Sequence, residues 1–229
     1  MNRIDKKPDY RKLYKLVRSS FEKTEYFQHG PFDETFYTLR VYESAKEIMS
    51  KLKGKCNGQQ VLAAAILHDV GKTKMDTSKV FTATDALYSE FAREEWCRHA
   101  KLSVPIAKNI LKNEGHSDEF IEEICYLIEH HDWRGDRMID RTLELKILQD
   151  ADLIADCGIA DFIRPFMFGG KFKRSIITSL KFIADETNRV DKKGMLNLEV
   201  SRMIARKKMK LRKELVCLMN KEIKSDLLS

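Results

Sequence analysis

Long apolar runs are missing from this chain: the longest, VLAAAIL at 61–67, is far short of the roughly 20 residues a membrane-spanning helix needs. The N-terminal stretch MNRIDKKPDYRK carries no apolar core of the kind a secretory signal has, so a cytoplasmic address is expected. The 5 cysteines, at 56, 97, 125, 157 and 217, are odd in number and include no CxxC pair. That argues against a disulfide framework or a cysteine-held zinc. Cys97, Cys125 and Cys157 fall in helical patterns and read as buried, reduced thiols. With only 4 prolines and 10 glycines, the chain has no flexible linker or low-complexity segment. Alternating strand patterns and hairpin signals are also lacking, as is any repeat of about 20–50 residues.

What is present is helical periodicity. Hydrophobic residues make up 43% and charged residues 34% of the 229, a balance that can bury a core and excludes disorder. Leu13, Val17 and Phe21 mark one face of a first helix over 9–27. Gly30-Pro31 breaks it, and Asp33 or Thr35 can cap a second helix running to about Leu52. The pattern then predicts helices over 60–69, 86–98, 99–114 and 118–131, with Ser117 as the N-cap of the last. Asp140 or Thr142 begins another that ends at Gly158. The segment 159–170 reads as apolar and irregular, and helices over about 173–187 and 196–224 complete an all-α bundle.

Charge is distributed unevenly. From Lys171 onward there are 16 Lys/Arg against 7 Asp/Glu, or +9, so the first 170 residues sum to −2. The basic segment is either an ordinary solvated helical face or an attractor of phosphate-bearing ligands. Its densest run, ARKKMKLRK at 205–213, has no interleaved aromatics, so nucleic acid is not the expected partner.

The residues most suited to chemistry close the apolar helix VLAAAILHDVGK. His68 and Asp69 offer one borderline and one hard donor to a divalent cation, and they stand at the rim of a core. A second His-Asp pair at His131-Asp132 shows that the dipeptide alone says little. The company is more telling: His99, His130-His131 and the carboxylates Asp150, Asp152 and Asp156 follow within one window. Each has an ordinary structural alternative. His99 could be a hydrogen-bonded core residue, His130-His131 a favourable charge at a helix C-terminus, and the aspartates a solvated stripe.

AAAILHDVGK, the later histidines and LKILQDADLIADCG together resemble the HD superfamily of metal-dependent phosphohydrolases. The likeness covers about residues 30–170, and TLRVYESAKEI (38–48) is similar to the helix that carries the family's first histidine. GIADFIRPFMFGG and the helix near 196–220 resemble its small stand-alone bacterial members. The resemblance implies one all-α domain over 1–229, with its core at about 30–170, an N-terminal helix at 9–27 and basic helices at 173–224. It implies that His68 and Asp69 bind metal and that Asp152 is the closing aspartate. Asp150 is the fallback; the two lie about 200° apart on a helix, so one ion does not take both. His99 and His130 or His131 match an optional pair that holds a second metal or phosphate. HHDWRGD is similar to the HHE motif of the HD-GYP phosphodiesterases, although no Gly-Tyr-Pro element is present. Lys72 matches a lysine that contacts phosphate, and Arg134 or Arg137 could add to it.

The chain departs from the pattern at one place. Where the family has its first histidine stands Tyr37, a poor ligand at neutral pH because its pKa of about 10 keeps it protonated. His29 or water could fill the vacancy, His99 and His130-His131 could carry the metal with Asp69, or the fold could survive as a binding module. The expected function is hydrolysis of a phosphate ester or anhydride, of nucleotide class, with Mn²⁺, Fe²⁺, Mg²⁺ or another divalent ion. The alternatives are a non-catalytic nucleotide- or partner-binding protein and, further back, a basic nucleic-acid binder. A phosphorylated small molecule is the expected partner and a membrane is not; self-association is left open.

Overall fold

Helix α1 (Tyr10–Phe21) opens the bundle, capped by the Asp9 side chain on the Lys12 amide, with Leu13, Val17 and Phe21 buried. The computed structural model describes residues 6–24, 34–52, 56–75, 90–133, 141–171, 173–190 and 195–223. Helix α2 (Glu34–Lys51) follows, then α3 (Gly58–Leu67), whose Asn57 cap accepts from Gln60. A short 3₁₀ turn, Val70–Lys74, continues from α3. Next come α4 (Glu90–Asn113), α5 (Asp118–His130) and α6 (Leu143–Ala155). The chain ends in α7 (Ile159–Lys171), α8 (Ile176–Val190) and α9 (Glu199–Ile223). The described residues form nine α-helices and no strand, so the all-α expectation holds.

Helix α3 runs through the middle. Val61, Ala63, Ala64, Ala65 and Leu67 are fully buried, and the helix packs against α1, α2, α5 and α6. Its three consecutive alanines let those neighbours approach closely, which is how a short helix can have walls on every side. Burying a helix C-terminus in this way places His68 and Asp69 inside the protein. Helices α2 and α6 pack on each other, as do α4 and α5, while α8 and α9 pair with α7 at one end.

Three sequence expectations are corrected. The predicted helices over 86–98 and 99–114 are a single helix, because Ala100, Ser103, Ala107 and Leu111 form one uninterrupted buried stripe. Pro105 lies within it on the exposed side, where the carbonyl it leaves unbonded can face solvent. The segment 159–170 is helical despite Pro165 and Gly169-Gly170. Asp161 and Arg164 on α7 reach α2 and α9 through ion pairs with Arg40, Glu34 and Arg212, and this tertiary pinning overrides the local breakers. Cys97 is exposed, not buried; Cys125 is half-buried and Cys157 buried, and all are free thiols. Thr142 is the N-cap of α6. Asp33 and Asp140, the competing cap candidates, lie outside the described residues, as does His29.

Candidate metal centre

Four elements converge at the C-terminal end of α3. His68 is the C-cap of α3, and Asp69 is the N-cap of the 3₁₀ turn. Gly71 lets that turn lie against α4: a Cβ there would collide with backbone atoms of His99, Leu102 and Ser103. The Gly71 amide donates to Ser103 Oγ at 2.8 Å, and that hydroxyl donates to the His99 carbonyl at 2.9 Å. The close approach sets His99 Nε2 3.1 Å from Asp69 Oδ1. Helix α5 delivers His131 at its C-terminus, with Nε2 3.1 Å from His99 Nε2 and 3.8 Å from Asp69 Oδ1. Asp132, one residue on, lies 3.2 Å from His99 and 3.7 Å from His131.

Helix α6 fixes the end of α5. Buried Gln149 donates to the carbonyls of His130 and Trp133, at 2.9 and 2.6 Å, and accepts from Asn197. The same helix sends Asp152 toward His68, with Oδ1 3.5 Å from Nε2. Two residues earlier, Asp150 points the other way. Its oxygens accept from the Asn197 and Leu198 amides and the Asn197 side chain at 2.8–2.9 Å, tying the start of α9 to α6. Asp150 is therefore not brought to the cluster, as the helical angle between 150 and 152 requires. His130 is not brought there either: its Nδ1 meets the Tyr126 carbonyl at 2.8 Å and its ring abuts Trp133 and Tyr126.

Tyr37 does face the site. It is 5% exposed, and its hydroxyl donates to Asp152 Oδ1 at 2.7 Å. Burial, and then the Asp152, Asp156 and Asp69 carboxylates, hold its phenol well above its ordinary value, so it stays a protonated donor. Lys72 is 4% exposed and its ammonium contacts Asp69 Oδ2 at 2.6 Å and Glu34 Oε2 at 3.0 Å. Its ammonium is thus directed at Asp69 and Glu34. Glu34, fully buried at the start of α2, also holds Arg164 of α7 at 3.0 Å. Arg134 and Arg137 lie outside the described residues.

The arrangement suits a cation. His68 and His131 each direct Nδ1 at a carbonyl of their own helix, Ala65 and Ile128, at 3.0 and 2.7 Å. Nδ1 so placed turns each Nε2 toward the cluster, the nitrogen through which either ring would hold a metal once unprotonated there. His68 Nε2 and Asp69 Oδ1 are buried without a hydrogen-bond partner, which is costly unless something else satisfies them. Ligand atoms within 4.8 Å of one another form two sets, His68-Asp69-His131 and His99-His131-Asp132. An ion about 2.1 Å from each ligand sets neighbouring ligands about 3.0–3.4 Å apart, close to the separations seen here. The electrostatics agree. Burial opposes charge on His68, but Asp69 and then Asp152 outweigh it and carry the imidazole up to about 10. Burial also opposes charge on Asp69, but His68, Lys72 and His99 hold it well below the usual carboxylate range. His131, in contrast, is lowered by burial.

Glu34, Arg164 and Asp132 were not found from sequence. Asp132 had a signal, the second His-Asp pair. The partnership of Glu34 with Lys72 and Arg164 had none, since its members lie 38 and 130 residues apart.

The HD domain family model matches residues 36–155, from α2 to the end of α6, and the chain belongs to that family. HD domains generally bind divalent metals, and the family is one of metal-dependent hydrolases. Among solved structures, an HD-superfamily hydrolase from Bacillus thuringiensis is 19% identical with a TM-score of 0.63, over 93% of this chain and 95% of that one. Bacillus subtilis YpgQ, in complex with ADP, is 18% identical with a TM-score of 0.59, over 94% and 98%. The Lin1889 protein of Listeria innocua is 21% identical with a TM-score of 0.58, also over 94% and 98%. At these identities the likeness is one of fold. No curated protein matches the chain. Among the described residues no helix is long and apolar enough to cross a membrane.

Proposed function

We propose that this chain is a metal-dependent phosphohydrolase of the cytoplasm, acting as a single domain on a phosphate ester or anhydride of nucleotide class. The observation that carries the reading is the buried meeting of His68, Asp69 and His131, with His68 Nε2 and Asp69 Oδ1 left without hydrogen-bond partners. Those residues would hold a divalent ion such as Mn²⁺, Fe²⁺ or Mg²⁺. Such an ion, when bound, acidifies a water and polarises a phosphoryl oxygen. The protein's part is orientation. Lys72 fixes Asp69 through Oδ2 and keeps it ionised, and Glu34 in turn neutralises Lys72 and Arg164. Carbonyls of Ala65 and Ile128 set the imidazole rings. Asp132 stands at the rim, 28% exposed, where it can accept a proton from solvent-side groups. Support for the nucleotide class is that the similar fold of YpgQ was crystallised with ADP.

A second reading is favoured by one contact. Tyr37 occupies Asp152 Oδ1, so a fold that binds a phosphorylated ligand without turning it over is the competing function. The two separate in one assay. Protein stripped and reloaded with Mn²⁺ or Fe²⁺ is screened against phosphate esters and nucleoside di- and triphosphates, with His68→Ala and Asp69→Ala alongside. Phosphate release that both variants abolish supports the hydrolase. Nucleotide binding without release, in protein that carries metal, would favour the binding module.

A further inference from the structure

Helix α7 is turned inside out. Its charged side chains face the protein: Asp161 is buried, and Arg164 reaches inward to Glu34 at 3.0 Å. Among its described side chains the exposed ones are Ile159, Ala160, Ile163, Met167 and Gly170, and none is polar. Ile159, Ile163 and Met167 recur at i, i+4 and i+8, so they form one stripe. A surface helix ordinarily has the opposite arrangement, polar outside and apolar inside. The apolar surface extends to the tip of the α7–α8 hairpin. Gly169 packs so closely on α8 that a Cβ there would collide with Ser179 Oγ. The Arg174 amide donates to the Gly169 carbonyl at 2.8 Å, and Ser175 Oγ accepts from the Thr178 amide at 3.0 Å, so both helix ends are capped and the turn between them is fixed. Ile176 and Ile177 stand just beyond that turn. With the three residues of α7 they make five large apolar side chains that are 39–61% exposed. Exposed Lys173 and Lys181 flank them. Lys173 takes the left-handed backbone, φ 57°, that a helix end ordinarily gives to glycine, and so keeps a cation at the tip. From 162 to 184 the sequence holds 5 Lys/Arg and no Asp or Glu.

From this we infer that the α7–α8 hairpin docks on an anionic lipid surface. Its isoleucines and Met167 enter the membrane interface, and Lys173 and Lys181 meet the anionic headgroups. Apolar side chains beside cations, with no carboxylate among them, match the chemistry of such a surface on both counts. No spanning helix is needed, and none is found among the described residues. The basic segment from Lys171 onward, +9 in all, adds attraction at longer range. A second copy of the chain is the poorer occupant. A stable dimer interface uses about 20–30 residues a side, far more than this stripe offers, and pairing two copies on it would bring two basic hairpins together. The docking is independent of the metal centre, which lies at the other end of the contacts that Arg164 makes inward.

The test sediments the full-length protein with phosphatidylcholine vesicles, with and without phosphatidylserine, at low and high salt. Wild type should co-sediment only when phosphatidylserine is present, and less as salt rises. Lys173→Gln and Lys181→Gln should each weaken binding about fivefold, the effect of one cation lost near the surface. Ile163→Ser and Ile177→Ser should each weaken it about tenfold. All four positions are exposed, and a thermal melt of each variant checks folding. Wild type that stays in the supernatant with phosphatidylserine vesicles overturns the inference. Binding that survives both isoleucine changes but is lost when Lys207, Lys208 and Lys210 are neutralised overturns it too, because α9 alone would then carry the attraction. A dimer that Ile163→Ser dissociates, in protein that ignores the vesicles, would assign the face to a second copy instead. None of these results bears on the hydrolase reading.

Discussion

The flank of Asp69 that faces α2 and α7 and the flank that faces α4 and α5 are built from similar residues with opposite results. On the first, charges alternate in sign: buried Asp69, Lys72 and Glu34 and half-buried Arg164 form a continuous chain of ion pairs at 2.6–3.0 Å. On the second, His99 and His131 stand 3.1 and 3.8 Å from an oxygen without a hydrogen-bond partner, with Asp132 against the two rings. Burying charge is tolerated only when it is compensated. The first flank carries its compensation in the sequence, and the second is arranged to receive it from outside. On the proposed reading, one carboxylate serves as structure through its Oδ2 contact with Lys72 and as a binding group through the oxygen left without a donor.

The largest effect should come from breaking the closed flank. Glu34→Ala leaves the buried Lys72 and the half-buried Arg164 with one counter-charge fewer each, and removing the partner of a buried charge costs about 3–5 kcal/mol. Denaturant unfolding will show it; a loss under about 1 kcal/mol would mean that Asp69 and Asp161 suffice for the two cations. The next effect belongs to the open flank. An ion that binds only the folded state stabilises it by about 2.7 kcal/mol when present at 100 times its Kd. Stripping the metal should therefore lower the melting temperature, and Mn²⁺ should restore it, while Asp69→Ala melts at the same temperature with and without the ion. An equal metal response in that variant would place the ion elsewhere.

Gly71→Ala tests what sets the two flanks apart. Its Cβ would meet backbone of α4, which cannot step aside as a side chain can. A cost of about 1–3 kcal/mol is expected. Moving the 3₁₀ turn away from α4 should also weaken Mn²⁺ binding, because it separates Asp69 from His99. Lost stability with unchanged Mn²⁺ affinity would show that the Asp69–His99 spacing is not what holds the ion.

How much of this could be read in advance follows from the range of each interaction. Helix identity is a matter of local periodicity, so α1, α3, α5 and α6 were evident from Leu13-Val17-Phe21, VLAAAIL, Ser117 and Thr142. The opposed faces of Asp150 and Asp152 followed from helix geometry alone. Helix α7 was missed because what stabilises it through Pro165 is Arg164 meeting Glu34, 130 residues away. The single helix α4 was missed because its buried stripe is made of small residues, Ala100, Ser103 and Ala107, which give a weak apolar pattern. Asp132 was visible as a His-Asp pair, but only the C-terminus of α5 arriving beside His99 distinguishes it from a chance dipeptide. That Tyr37 faces Asp152 depends on α2 packing against α6, which no local signal encodes.

The smallest expected effect concerns what holds the open flank in place. Gln149 touches no candidate ligand, yet it ties the carbonyls of His130 and Trp133 to α6 and so brackets His131 and Asp132. Gln149→Met keeps the side-chain volume and removes both donors. The two carbonyls lose their partner, and the segment between them, which carries His131 and Asp132, gains freedom. Supporting contacts of this kind set metal affinity about 10–100-fold when lost, and the lower end, about 1.4 kcal/mol, is expected here because the Thr142 and Asn197 contacts that anchor α6 persist. Mn²⁺ affinity and thermal stability measured on the same variant separate two roles. A tenfold weaker site in a protein that melts near wild type identifies Gln149 as a positioning residue of the open flank. An unchanged site in a destabilised protein would reduce it to a core contact, and would mean that the end of α5 is held by His131 and its own helix alone.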